Sequence, residues 1–238
     1  MELSLSKKEL QDYIARQLEF RFPDRKSCMD FKDLINVRAF DEALQRMEYC
    51  FKYITVKGYS IFDEYRGGVQ TFFNHLHSDQ YSQFLYFFSN SLWRMGGDLD
   101  LCSKLILLNR ELHGCWFSYK GNFPDIFLLV HPVGSVIGHV NVKFSDYLVI
   151  LQNVTINGTK TSLELGKYLF LGAGARIIGG GKIGDKVSIG ANTLVRNPNI
   201  SNDCLVYQDV KTGIITQNCN KQGTCFAERN YFRKNLNI

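Results

Sequence analysis

The chain has 238 residues, a formal net charge of +5, and 45% hydrophobic and 21% charged residues. That composition suits a folded protein with a sizeable core and excludes a disordered or collagen-like chain. The charge is mild and dispersed, which is no footprint for nucleic acid, and no apolar run reaches the ~18 residues of a membrane span.

The opening MELSLSKKELQDY is polar and amphipathic, unlike a secretory leader, so a cytoplasmic location is expected. Seven scattered cysteines, an odd number without a Cys-x-x-Cys pair, suit reduced thiols better than a disulfide framework or structural zinc. His75-Leu-His77 and His113-Gly-Cys115 lack a second half at zinc-like spacing, so no metal is expected.

Residues 1–120 read as helices. Ser6 can cap 7–20, where Leu10, Tyr13, Ile14 and Leu18 form a helical stripe. A second helix is expected from Asp41. Ser78 is an N-cap candidate for a third, and Asp98 caps a fourth that Gly114 stops. The aromatic stripes on these helices read as packing between them.

The chain changes character between Pro124 and Pro132. Tyr, Phe and Trp number 12, 18 and 2, yet only Phe144, Tyr147, Tyr168, Phe170 and Tyr207 fall within 131–207. Eleven of the 20 glycines fall there instead. Every sixth residue from 165 is aliphatic: Leu165, Leu171, Ile177, Ile183, Ile189 and Val195. Period six fits neither a helix nor a plain strand, and it marks a repeat architecture. A short strand and a corner use six residues, and three such sides close a triangular coil. One aliphatic per side points to the axis, and coils stacked ~4.8 Å apart satisfy each other's backbone groups. About four coils fit into 131–207. Asn157–Glu164 breaks the phase and is expected to be a loop thrown out from a corner. The expected class is α+β: a helical domain over 1–125, a β-helix over 126–212 and a tail over 213–238.

The segment HPVGSVIGHVNVKFSDYLVILQNVTING (131–158), followed by LFLGAGARIIGGGKIGDKVSIGANTLV, resembles the hexapeptide-repeat acyltransferases, and serine acetyltransferases most. The shared pieces are His-x-x-Gly-x-Val-x-Gly (131–138), Ile-Leu-Gln-x-Val-Thr (150–155) and, in place of Ile-Gly-Ala-Gly-Ala, Leu171 to Ala175. Asp79-Gln-Tyr81-Ser82 is similar to the family's Asp-Lys-Tyr-Ser. The resemblance implies a left-handed β-helix behind the helices, trimers or paired trimers, and acetyl-CoA in a groove between neighbouring columns. It places Ala173 and Ala191 beside the CoA arm and Gly158 near the thioester. Arg196 and Lys211 are the candidate cations for the CoA phosphates.

The resemblance also makes His131 the general base that takes the acceptor hydroxyl's proton. Imidazole suits that task near neutral pH. The family's Asp directly before the His is Val130 here, so Asp125 is the candidate carboxylate partner. His75, Asp79, His139 and Lys160 are candidates for the acceptor site. The family's acid four residues before Asp79 is His75, and its Arg-His loop is the shorter NGTKTSLELG. Serine is therefore weakened as acceptor, and a sugar or surface polysaccharide is the alternative. A non-catalytic β-helix scaffold is a remote one, and a zinc hydratase of the same shape lacks a third histidine. The final Ile238 matches tails that insert into a partner enzyme of cysteine synthesis.

Overall fold

The computed structural model describes residues 1–63, 68–138, 140–213, 215–219 and 225–233. It divides into two compact units, 1–52 with 57–120, and 53–56 with 121–238.

In the first unit, β1 (Glu2–Leu3) leads to α1 (Lys7–Arg21). Ser6 and Glu9 cap α1 reciprocally, each side chain accepting from the other's backbone N–H. The second helix, α2 (Leu34–Tyr53), starts seven residues before the expected Asp41, because the Asp33 carboxylate accepts from Ile35 N–H at 2.7 Å and opens the helix there. Between α2 and α3 lies a hairpin that the helical reading missed. Its strands β2 (Ser60–Asp63) and β3 (Gly68–Phe73) run antiparallel, and β1 joins β3 in parallel. The residue flanking α3 (Ser78–Arg94) is His77 rather than Ser78, without a side-chain cap. The Asp98 and Gly114 boundaries hold for α4 (Leu99–His113), with Gly114 left-handed at φ 63. A short strand, β4 (Trp116–Phe117), follows. Phe84, Phe87 and Phe88 of α3 are fully buried, as is Phe40 of α2. Apolar side chains all round a helix demand such burial.

The second unit is the parallel β-helix. Its first sheet holds β5 (Phe127–Leu129), β8 (Leu148–Ile150), β11 (Phe170–Leu171), β14 (Ser188–Ile189) and β17 (Cys204–Gln208). The second holds β6 (Val136–Ile137), β9 (Thr155–Asn157), β12 (Arg176–Ile178) and β15 (Leu194–Arg196). The third holds β7 (Val142–Lys143), β10 (Leu163–Leu165), β13 (Gly181–Ile183) and β16 (Asn199–Ile200). Four coils are thus complete, and β17 begins a fifth.

The registers convert the period of six into three interior columns. Leu129, Ile150, Leu171, Ile189 and Val206 pair in turn on the first sheet. Ile137, Ile156, Ile177 and Val195 do so on the second, and Leu165, Ile183 and Ile200 on the third. All are buried. The corners turn through left-handed residues stacked coil on coil. Gly174 has φ 70, and a Cβ there would come within 2.3 Å of Asn192 Oδ1 on the next coil. The expected loop over Asn157–Glu164 is only 158–162. Asn157, Leu163 and Glu164 keep their place in β9 and β10, since their backbones are already paired with neighbouring coils.

The C-terminal part is not a free tail where it is described. Strand β18 (Ile215–Cys219) returns antiparallel along β17. The short helix α5 (Phe226–Asn230) is held by Phe226 N–H donating to Ser188 Oγ and by Lys186 to Glu228 at 3.1 Å. Phe170 packs against Phe226 and Tyr231, and Phe232 bridges Ile54. These segments cover the outside of the first sheet. Cys204 is disulfide-bonded, against the expectation of reduced thiols, and it stands opposite Cys219 in the β17–β18 register. Ile238 lies outside the described residues. No helix is long and apolar enough to cross a membrane, among the described residues.

Truncating Ile177, 1% exposed, should cost about 2–5 kcal/mol, while Leu194→Ala one coil away, at 39% exposure, should stay within about 0.5 kcal/mol. Chemical denaturation of both variants checks the inward and outward assignment.

Candidate active site

The corner between the first and second sheets carries His131. At that corner each coil runs from its buried aliphatic to a left-handed residue: Ile150 to Asn153, Leu171 to Gly174, and Ile189 to Asn192, three positions each time. In the first coil the same path, Leu129 to Gly134, takes five. The backbone bonds locate the extra pair. Val130 N–H donates to Ile150 O, and Val133 O accepts from Asn153 N–H, so His131 and Pro132 are the inserted residues.

The insertion is folded tightly. Val133 N–H donates to His131 O at 2.7 Å, closing a three-residue turn centred on Pro132. Proline's fixed φ suits that central position. Pro132 is buried and His131 exposed, so the bulge anchors on the proline and turns the imidazole outward. His131 has φ 49, an uncommon conformation for a non-glycine residue and one that concentrates at functional sites. The signal was available in the sequence as the two-residue lengthening between Leu129 and Gly134, and the periodicity reading passed over it.

Ala173 and Ala191 stand on the same corner as His131. They occupy the level that Val133 and Gln152 hold in the coils above, as the bonds from Gly174 N–H to Gln152 O and from Asn192 N–H to Ala173 O require. A shallow stripe therefore descends the column from the imidazole. Lys211 is exposed in the turn from β17 to β18, and Arg196 is exposed at the end of β15.

Other candidates lie apart from this corner. Asp125 precedes β5 and His131 follows it. The strand between them alone spans about 10 Å. Gly158 and Lys160 are on the far edge of the second sheet, in the 158–162 loop. A Cβ on Gly158 would sit 2.3 Å from Val140 O, so close packing of two coils demands glycine there. His139 is outside the described residues.

His75 and Asp79 belong to the first unit. Ser4 Oγ lies 2.8 Å from His75 Nδ1 and also accepts from His75 N–H, so this histidine ties β1 to the turn before α3. Asp79 is 5% exposed, in the first turn of α3, where the helix dipole favours a carboxylate. Around it burial raises the Tyr59 phenol well above its usual range, and the Asp79 charge adds to the rise. Burial pushes His113 down to about 4, against the opposing pull of its Asn109 bond and of Asp79. Cys115 is pushed up to about 11 by burial, and its Sγ lies 3.3 Å from Ser82 Oγ.

No protein-family model matches the chain. It is 37% identical over 106 residues to a serine acetyltransferase of Synechococcus elongatus, a match covering 42% of this chain and 41% of that protein. The chain thus spans less than half the length of that curated relative. Its structure resembles serine acetyltransferase isoform 3 from Entamoeba histolytica, in complex with cysteine, with a TM-score of 0.57 and 18% identity over 88% of this chain and 73% of the other. Over the matched stretch the chain is similar to the serine acetyltransferases. A serine acetyltransferase in complex with CoA is also similar, with a TM-score of 0.50 and 24% identity over 57% of this chain and 55% of the other. At these identities the structural likeness establishes the shared fold, a left-handed β-helix behind N-terminal helices.

The low value of His113 makes the first unit sensitive to acid. The folded state holds the imidazole neutral, so the unfolded chain takes up the proton first as pH falls. Stability present above pH 6.5 should be lost on the way down to about 4, by about 3 kcal/mol. Unfolding free energies against pH for the parent and His113→Gln test this. The variant should show a flatter segment there, and an unchanged slope would contradict the assignment.

Proposed function

We propose that the chain transfers an acetyl group from acetyl-CoA to a hydroxyl acceptor, with His131 as general base. The observation that carries this reading is the corner bulge, which turns one imidazole outward at the head of a stripe of small residues. The curated relatives named serine acetyltransferase support it, as does the CoA complex of a similar structure.

In this reading the neutral imidazole accepts the hydroxyl proton as the acceptor oxygen attacks the thioester carbonyl. Backbone N–H groups near Gly158 hold the developing oxyanion. The C–S bond then breaks, and the imidazolium returns its proton to the departing thiolate. His131 and Gly158 stand on different corners of one column, so one copy's His131 would work with a neighbouring copy's Gly158. That arrangement needs the groove between columns of a homotrimer, which could pair further into a hexamer. Ala173 and Ala191 let the pantetheine arm lie against the coil, and Arg196 and Lys211 meet its phosphates. Lys160 serves the acceptor. The reaction needs no metal, and the expected setting is the cytoplasm.

A second reading has a sugar or polysaccharide hydroxyl as acceptor in place of serine. Two observations favour it. Lys160 is the only cation in the 158–162 loop, and His75 is engaged by Ser4. Neither leaves an obvious grip for an amino-acid carboxylate.

Release of thiol from acetyl-CoA, followed with DTNB, should occur with L-serine or with a saccharide, and which one answers decides between the readings. His131→Ala should lower kcat/KM by about 10²–10⁴. Unimpaired turnover in that variant removes the base assignment, and no release with any acceptor points to a scaffold. A mass measured in solution that corresponds to an active monomer would exclude the shared groove.

A further inference from the structure

The corner that carries His131 is closed differently in one coil. In the third coil Ala175 N–H donates to Gly172 O at 3.0 Å, and in the fourth Thr193 N–H donates to Gly190 O at 3.3 Å. The first coil keeps that direct closure, Ser135 N–H to Pro132 O at 3.0 Å, in spite of its two extra residues. The second coil is spliced from above. Val154 N–H donates to Ser135 Oγ at 3.1 Å, and the Ser135 hydroxyl donates on to Leu151 O at 2.9 Å. An N–H and a carbonyl joined through an oxygen stand farther apart than a pair bonded directly, so the second turn is held wider than the turns below it.

The widened turn lies directly under the bulge. The bulge hangs on two ladder bonds, Val130 N–H to Ile150 O and Asn153 N–H to Val133 O. Ile150 and Asn153 are the chain neighbours of Leu151 and Val154, the two residues that the hydroxyl joins. Ser135 thus sets the distance between the two posts from which His131 and Pro132 are suspended. Ser135 and Val154 are both fully buried, so water does not stand in for the hydroxyl. A methyl in its place leaves Val154 N–H to draw back onto Leu151 O. That move brings the posts together under a segment with two residues too many for a narrow turn. Thr193 provides the comparison. It occupies the same inward column three coils on, is equally buried, and its hydroxyl accepts from Gln208 N–H at 3.2 Å. It joins the fourth coil to β17, about 14 Å down the axis from the bulge.

Resting on the acetyl-transfer reading, we propose that Ser135 is a positioning residue for the base: its hydroxyl holds the second turn open and thereby fixes where the His131 imidazole points. It touches no reacting atom and acts through the backbone of Val130 and Val133.

The test is steady-state thiol release from acetyl-CoA, with thermal unfolding of each variant beside it. Ser135→Ala should lower kcat roughly tenfold or more while both KM values stay within about twofold, because geometry rather than binding is disturbed. Ser135→Thr, which restores the hydroxyl in a column that already holds Thr193, should recover most of the loss. Thr193→Ala should lower the unfolding temperature about as far as Ser135→Ala and leave kcat at the parent's value. Ser135→Cys, whose sulfur fills the site and bonds weakly, repeats the comparison if Ser135→Ala does not fold. The parent's kcat in folded Ser135→Ala overturns the positioning role and leaves acetyl transfer standing. An equal loss of kcat in Thr193→Ala does the same, since the effect is then one of stability alone. A parent chain that releases no thiol with any acceptor overturns the positioning role and the acetyl-transfer reading together.

Discussion

The backbone hydrogen bonds between successive coils constrain everything else in the second unit. Each bond exists only if the coil below repeats the path of the coil above, and the buried aliphatic columns enforce that repetition. A side chain of the wrong size on the axis lifts one coil off the next and leaves donors without acceptors, a cost of about 1–3 kcal/mol for each buried group. The freedom left to the sequence therefore lies at the corners and on the outer faces. His131 and the 158–162 loop are both found there.

The corner bulge shows how chemistry fits within that constraint. Two extra residues at a strand's edge break no ladder bond, because Val130 and Val133 keep their partners on either side. The buried Pro132 and the tight turn take up the slack, so the displaced imidazole is held rather than loose. A reactive group mounted on a rigid element is better placed than one on a long loop.

Legibility followed the range of the interaction involved. The Ser6 cap, the Asp98 cap and the Gly114 stop use neighbours within four residues, and all were readable. The period of six was readable because every coil repeats it. The hairpin over 60–73 was not, since its strands are short and one pairs with residues near the N-terminus. The start of α2 at Leu34 hung on one Asp33 carboxylate among several polar residues. The return of β18 along β17 was not announced by the tail's polar composition.

The amino-acid pattern by itself determined that 131–207 winds as a three-sided column and that helices precede it, because periodic burial is written directly into residue type. The resemblance to the serine acetyltransferases, rather than the pattern, singled out His131 and the small residues at 173 and 191. Only the tertiary structure decided which of these share a corner, and that a hydroxyl of the first coil closes the turn of the second. Those outcomes depend on register between coils, a relation between distant segments that appears only once the backbone has closed its turns.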